Sequence, residues 1–117
     1  MIVAAGVTVF EALSAYDQLQ QEGVAVRVID LFSVRPIDAQ ELVISARETG
    51  GIVIIVEDHY GHGGIGDAVL SALAPERINA RKLAVKEIPR SGKSKELIDR
   101  FGLSARQIAE AVKAALQ

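Results

Sequence analysis

Residues 57–66 constrain the fold more than any other segment of the chain. They hold two acids, two histidines and four glycines within ten positions. The five apolar residues before them, Ile52–Val56, form a β-branched run that is typical of a buried strand. The periodic apolar residues after them, from Ala68 to Leu73, predict a helix. The segment is therefore interpreted as one strand-to-helix turn, and in an open parallel sheet such turns line the crevice where ligands and partners bind.

Strands and helices alternate along the rest of the chain. The predicted strands are Ile2–Ala5, Val24–Ile29, Ile52–Val56 and Ala80–Glu87. Four strands separated by helices imply a parallel sheet with right-handed crossovers and helices on both faces. We therefore expect an α/β fold with a single domain over residues 1–117. Its doubly wound, mostly parallel sheet would form the middle layer of a three-layer α/β/α sandwich.

Capping signals indicate where the helices begin. Thr8 and Glu11 have the spacing of a capping box at the start of the first helix. The apolar positions that predict the buried face of this helix are Phe10, Leu13, Tyr16 and Leu19. Asp38 begins the second helix, Ser94 begins a short helix after the fourth strand, and Ser104 caps the last helix.

The composition argues against several classes of function. The formal charge of −2 and the aromatic content of 4% do not fit a nucleic-acid-binding surface. The chain has no cysteine, so it offers no thiol nucleophile, thiolate metal site or disulfide. No apolar run is long enough to span a membrane, and no basic segment typical of a signal peptide follows Met1. We expect a cytoplasmic protein that binds neither nucleic acid nor membranes.

The glycines of the 57–66 segment permit a dinucleotide-binding hypothesis. Gly61, Gly63 and Gly66 satisfy the G-x-G-x-x-G pattern. Residues 57–60 separate the strand from the first of these glycines, however, and the two carboxylates among them would repel a pyrophosphate. The favoured interpretation is that the glycines let the backbone turn sharply and approach neighbouring chain.

The histidines of the same segment permit two further hypotheses. His59 and His62, with Glu57 and Asp58 nearby, could contribute to a metal site, but such sites need three or four converging ligands. His59 could also act in acid–base catalysis with a pKa set by an adjacent carboxylate. Because no nucleophile is placed beside it by sequence, a structural hydrogen-bonding role for His59 is favoured.

A second candidate site lies in residues 90–94, which end in Gly-Lys-Ser as a phosphate-binding P-loop does. A P-loop also needs a glycine five positions before Gly92, where this chain has Glu87. The remaining hypothesis is an anion site made by Arg90, Lys93 and the helix start at Ser94. The favoured alternative is an exposed basic turn that caps a helix.

Four segments together resemble the C-terminal domain of transketolase, and the resemblance covers essentially the whole chain. They are Val7–Leu13, Val28–Asp38, the 57–66 segment and Val85–Lys93. The combination of residues 57–60 with the later Pro-Arg-Ser-Gly-Lys resembles the transketolase branch of animals and of some bacteria and archaea. That branch includes transketolases encoded as two separate halves.

The resemblance implies a part of a transferase that moves a two-carbon ketol unit between sugar phosphates. The full enzyme would use thiamine diphosphate and Mg²⁺ or Ca²⁺. In that family the cofactor and the catalytic residues belong to the N-terminal and pyrimidine-binding domains, so the resemblance assigns no catalytic, cofactor-binding or metal-binding residue here. It implies a non-catalytic assembly domain that has those domains as partners and is inactive alone.

The family also implies a topology. Its C-terminal domain has a five-stranded mixed sheet with an antiparallel first strand at one edge, and this chain is expected to lack that strand. The remaining order would be second, first, third, fourth, and residues 6–8 would face the 57–66 segment across the switch point. Loss of the edge strand would expose Val24–Ile29, which predicts a homo-oligomer.

A second hypothesis is an independent module that binds a nucleotide or sugar phosphate in the switch-point crevice. The candidate residues of this crevice and of the basic turn are Gly6, Thr8, Glu57, Asp58, His59, Gly63, Gly64, Gly66, Arg90 and Lys93.

Overall fold

A parallel sheet of four strands organises the fold. The computed structural model describes residues 1–88 and 90–117; Pro89, which belongs to the 85–93 segment of the resemblance, lies outside the described residues. The strands are β1 (Ile2–Ala4), β2 (Val28–Asp30), β3 (Ile52–Tyr60) and β4 (Asn79–Val85). They are arranged in the order β2-β1-β3-β4, and every neighbouring pair is parallel. The predicted strand order is confirmed.

The helices cover both faces of the sheet. They are α1 (Val7–Gln21), α2 (Ala39–Glu48), α3 (Ile65–Leu73), α4 (Ser94–Arg100) and α5 (Ala105–Ala115), with a 3₁₀ turn at Ala74–Glu76. Side chains alternate along a strand, so Ile54 and Val56 pack against α1 and α5 while Val53 and Ile55 pack against α2 and α3. The predicted three-layer α/β/α architecture is confirmed. No helix in the described part of the chain is long and apolar enough to cross a membrane.

The second strand is shorter than predicted. Among the described residues it pairs with β1 alone, and β1 begins at Ile2 opposite Val28. Residues 24–26 therefore have no β1 residue beside them, although the carbonyl group of Arg27 still accepts a 2.7 Å hydrogen bond from the Ile2 N–H group. The exposed edge is accordingly three residues of regular strand, not the six predicted from the Val24–Ile29 run.

The first helix buries a different face from the one predicted. Its buried residues are Thr8, Ala12, Ala15 and Leu19. Of the predicted core positions, Leu19 is buried, whereas Phe10 is 71% exposed and Leu13 is 48% exposed. The two alanines let α1 approach the sheet and α5 closely, and the side chains of Phe10 and Leu13 lie on the outside of the helix.

The predicted capping box of α1 is also wrong. Gly6, with φ +60°, turns the chain directly from β1 into the helix, which begins at Val7. The Thr8 hydroxyl lies 3.0 Å from the Val56 carbonyl oxygen, and the Glu11 carboxylate accepts a 2.8 Å hydrogen bond from the Ala105 N–H group. Both side chains therefore connect α1 to other elements.

The remaining predicted helix starts are confirmed. The Asp38 carboxylate accepts a 3.0 Å hydrogen bond from the Glu41 N–H group at the start of α2. Ser104 and Gln107 form a capping box before α5, and α4 begins at Ser94.

Candidate functional site

The connection between β3 and α3 is shorter than the predicted turn over residues 57–66. Strand β3 continues through Tyr60, because Tyr60 pairs with Val85 of β4. Ile65 and Gly66 already belong to α3. The turn itself is Gly61–Gly64, which we call the β3–α3 turn.

A bulge interrupts β3 at the acidic residues. Val56 is paired with Leu83 and Tyr60 with Val85, so β3 advances four residues while β4 advances two. Glu57 follows Val53 and Ile55 on the sheet face covered by α2 and α3. As a result Glu57 is only 3% exposed, whereas Asp58 is exposed.

The buried carboxylate of Glu57 lies against the start of α3. Its Oε2 atom accepts a 3.1 Å hydrogen bond from the Gly66 N–H group. Its Oε1 atom is buried and has no hydrogen-bond partner among the described residues. A negative charge is favourable at this position because the N-terminus of a helix carries partial positive charge.

Two glycines make room for this carboxylate. A Cβ atom at Gly64 would overlap Glu57 Oε2, and a Cβ atom at Gly66 would lie 2.7 Å from Oε1 and overlap the Lys82 side chain. Gly63 has a different role, since its φ of +78° is the left-handed conformation that the turn requires. The glycines are therefore needed for close packing and for chain reversal.

A second carboxylate, Asp67, holds the turn from the first turn of α3. Its Oδ2 atom accepts a 2.7 Å hydrogen bond from the Gly63 N–H group. Lys82 of β4 donates one hydrogen bond to Asp67 Oδ1 at 2.7 Å and another to the Gly61 carbonyl group. The hydrogen bond from Lys82, followed by the one from Gly63, holds the pKa of Asp67 below its ordinary value.

Lys82 and Asp67 were not singled out from the sequence. The pairing of β3 with β4 would have indicated Lys82. Lys82 is the register partner of Ile55 and therefore lies on the face of the sheet that α3 covers. Asp67 lies in the first turn of α3, where acidic residues are common for electrostatic reasons. Neither position is distinctive without the strand pairing.

The histidines of the 57–66 segment lie on the outside of the connection between β3 and α3. His59, Tyr60 and His62 are exposed. The Nδ1 atom of His59 lies 2.9 Å from the Tyr60 carbonyl oxygen, which corresponds to a hydrogen bond donated by the ring. Within residues 1–88 and 90–117, no three histidine, aspartate or glutamate side chains converge in a way that could hold a metal ion.

The arrangement is chemically suited to holding the backbone in place. The Gly63 and Gly66 N–H groups, which could otherwise face an anion, both donate to carboxylates of this chain. A phosphate at the β3–α3 turn would have to displace Asp67 or Glu57 and would be repelled by them. The geometry therefore disfavours the dinucleotide hypothesis.

Comparison with known proteins supplies the family. A model of the transketolase C-terminal domain matches residues 1–108. The chain belongs to this family. It is 55% identical to mouse transketolase-like protein 2 and 46% identical to human transketolase, each over 113 residues that make up 96% of this chain.

A solved structure agrees with the family assignment. A chain described as split gene transketolase, inactive beta4 tetramer, matches 98% of this transketolase C-terminal domain with a TM-score of 0.90 and 40% identity. The match covers 38% of that solved chain, and the alignments cover 18% of the mouse and human proteins. The chain thus spans a small part of the relatives that it matches.

The other candidate residues of this transketolase domain lie outside the β3–α3 turn. Thr8 contacts the middle of β3 through the Val56 carbonyl group, one residue before Glu57, so the start of α1 lies beside the strand that leads into the 57–66 segment. Gly6 immediately precedes α1. Arg90 and Lys93 are exposed between β4 and α4, and neither belongs to the hydrogen-bonded group formed by Gly61, Gly63, Asp67 and Lys82.

Proposed function

We propose that this chain is the non-catalytic C-terminal assembly domain of a transketolase, formed as a single domain by residues 1–117. The full enzyme would transfer a two-carbon ketol unit between sugar phosphates. The observation that supports this role best is that the carboxylates at the end of β3 and the start of α3 are hydrogen-bonded within this chain. Glu57 and Asp67 accept hydrogen bonds from the backbone of their own turn, which is a structural task.

The cofactor is proposed to bind elsewhere in the enzyme. Thiamine diphosphate with Mg²⁺ or Ca²⁺ needs converging oxygen ligands for the metal and donors for the diphosphate. The described residues of this chain provide no such ligand group, and the N–H groups of the β3–α3 turn already donate to carboxylates. These residues do not fit the cofactor, so we assign none of them a step in the reaction.

The proposed partners are the N-terminal and pyrimidine-binding domains of the same transketolase, together with further copies in a homo-oligomer. The similarity to a split-gene transketolase chain described as a tetramer supports assembly of this kind. The fraction of the relatives that this chain spans supports a role as one part of a larger enzyme.

A complementation assay tests the proposal. Ketol transfer from xylulose 5-phosphate to ribose 5-phosphate is measured with thiamine diphosphate and Mg²⁺, first for this chain alone and then after mixing with the polypeptide that carries the other transketolase domains. We expect no activity from the chain alone and activity in the mixture. Activity of the isolated chain would refute the non-catalytic role, and inactivity of a folded mixture would refute the transketolase role.

An independent ligand-binding module is the second candidate function. In its favour is a cavity of about 460 Å³ beside the start of α3, lined in part by Arg35, Gly63 and Gly64. Against it, Asp67 also lines this cavity and carries the charge that repels a phosphate. Calorimetric titration with ribose 5-phosphate decides between the two: binding that Arg35→Ala abolishes would favour the module.

A further inference from the structure

Large apolar side chains are exposed where the four strands end. Val7 and Phe10 follow β1, Phe32 follows β2, Tyr60 ends β3 and Ile88 follows β4. These five are among the eight large hydrophobic residues that the described chain exposes. Because the carboxyl ends of parallel strands lie at one edge of a sheet, the five side chains share one side of the molecule. We call them the carboxyl-edge surface.

The exposure at this edge is extreme for two of the residues. Phe32 is 92% exposed and Ile88 is 83% exposed. Moving such large apolar side chains out of water is favourable, because burial of apolar surface is the main driving force of association. Single exposed hydrophobic residues are ordinary, but a group of them that follows successive strands on one side of a domain is typical of an interaction site.

A cleft beside Phe32 has room for an apolar side chain of a partner. It has a volume of about 340 Å³ and lies between the end of β2 and the start of α2. Its apolar lining includes Ile29, Leu31, Pro36 and Leu42, with Phe32 at its side. Interfaces gain most of their affinity where a large side chain enters such a desolvated pocket.

We propose that the carboxyl-edge surface docks against the remaining transketolase domains. This inference rests on the proposed function and names the surface that performs the assembly. The occupant is inferred from the size of the relatives: human transketolase is matched over 18% of its length, and the split-gene chain over 38% of its length. Most of the protein in these relatives is therefore available to cover one side of this domain.

The apolar character of the surface sets the chemistry of its partner. The five defining side chains are aliphatic or aromatic, and two of them are phenylalanines. The matching area on the other domains is expected to be apolar, with at least one large side chain entering the cleft beside Phe32. Phe32 and Ile88, at the ends of different strands, would anchor two separated parts of the contact.

Cysteine footprinting tests the proposal without disturbing the core, because the chain has no cysteine of its own. Phe32→Cys and Ile88→Cys report on the surface. Ile44→Cys on α2 and Leu116→Cys after α5 are controls, since these positions are 43% and 55% exposed and lie away from the carboxyl ends of the strands. The rate of maleimide labelling is measured by mass spectrometry for the chain alone and after assembly with the polypeptide carrying the other domains.

We expect assembly to slow labelling at positions 32 and 88 by about tenfold or more, because a buried thiol is inaccessible to the reagent. The control positions should keep their labelling rates. In the same complex, Phe32→Ser should weaken the affinity by about tenfold, as loss of an anchoring aromatic residue does, while Ile44→Ser should leave it unchanged.

The outcomes separate the docking surface from the proposed function. If the wild-type chain does not assemble with the other domains, the proposed function itself fails. If assembly occurs while positions 32 and 88 stay as reactive as before, only the docking surface is wrong. Slow labelling of the isolated chain that is relieved by dilution would show that a second copy covers the surface, and would overturn the assignment to the other domains.

Discussion

The amino and carboxyl ends of the sheet differ in the side chains that they bury and expose. At the amino end, exposed ion pairs connect the helix ends and loops: Arg27–Glu48, Lys113–Glu22 and Arg47–Glu76. At the carboxyl end, Glu57 is buried beneath the β3–α3 turn while Phe32 and Ile88 are exposed. The carboxyl end also has exposed charges, such as the Arg100–Glu87 ion pair, but it combines them with exposed apolar side chains and a buried acid. The difference is the basis for our proposal that the carboxyl end is the binding side of this domain.

This difference predicts where substitutions should matter for stability. Exposed ion pairs contribute little because water and salt screen them. A buried carboxylate with close neighbours tolerates neither added volume nor loss of its hydrogen bond. We therefore expect substitutions at the carboxyl end to lower the free energy of unfolding more than substitutions at the amino end do.

The largest effect is predicted for Gly64→Ala, because the new Cβ atom would overlap Glu57 Oε2 and force the carboxylate away from the Gly66 N–H group. We expect a loss of about 3 kcal/mol in the free energy of unfolding, the upper end of the range for overpacking. Gly61→Ala is the matched control, since nothing lies within 4 Å of its Cβ position. Urea unfolding at pH 7 measures both, and equal stability of the two variants would contradict the packing argument.

Removal of the buried acid should have the next largest effect. Glu57→Ala leaves the Gly66 N–H group without its acceptor and creates a cavity, so we expect a loss of about 2 kcal/mol. Glu57→Gln retains an oxygen that can accept the same hydrogen bond and should cost less. Thermal or urea unfolding distinguishes them, and an alanine variant as stable as the glutamine variant would mean that the hydrogen bond contributes nothing.

The order of the elements could be predicted from the sequence, but the buried face of α1 could not. The order of strands and helices was predictable because buried β-branched runs such as Ile52–Val56 alternate with capped helices. The exposure of Phe10 was not predictable, because α1 has two apolar faces and the sequence does not say that Ala12 is the one against the sheet. Spacing alone favours the larger side chains, whereas close packing of helices here selects the smaller ones.

The candidate site was predicted only in part for a similar reason. The sequence located the acids and glycines but placed Glu57 in an open turn. Its burial depends on the continuation of β3 to Tyr60, which is fixed by pairing with Val85 some 25 residues later in the chain. The role of Lys82 depends on the same pairing. Long-range contacts of this kind leave no local pattern in the sequence.

A smaller, pH-dependent effect is predicted for Asp67. Its pKa is lowered in the folded state by the hydrogen bonds from Lys82 and Gly63, so the folded protein favours the ionised form. This contribution to stability is complete above the ordinary pKa of 3.8 and is lost as the pH falls through the lower pKa of the folded state. Asp67→Asn should therefore be less stable than the wild type at pH 7, with the difference shrinking as the pH is lowered below 3.8. Urea unfolding at a series of pH values measures this, and a difference independent of pH would show that the ionisation of Asp67 plays no part.

The smallest effect is predicted at the amino end. Lys113→Ala removes a 2.8 Å ion pair with Glu22 in which both side chains are nearly half exposed. We expect a loss below about 0.5 kcal/mol, reduced further by salt because exposed charges are screened. Lys113→Met removes the charge but keeps most of the aliphatic side chain. Comparison of the two variants therefore separates the contribution of the ion pair from that of side-chain packing. Urea unfolding at low and high salt provides the measurement. A loss from Lys113→Ala as large as that from Glu57→Ala would mean that the amino end is held by its ion pairs, and the contrast between the two ends would then lie in their exposed surfaces alone.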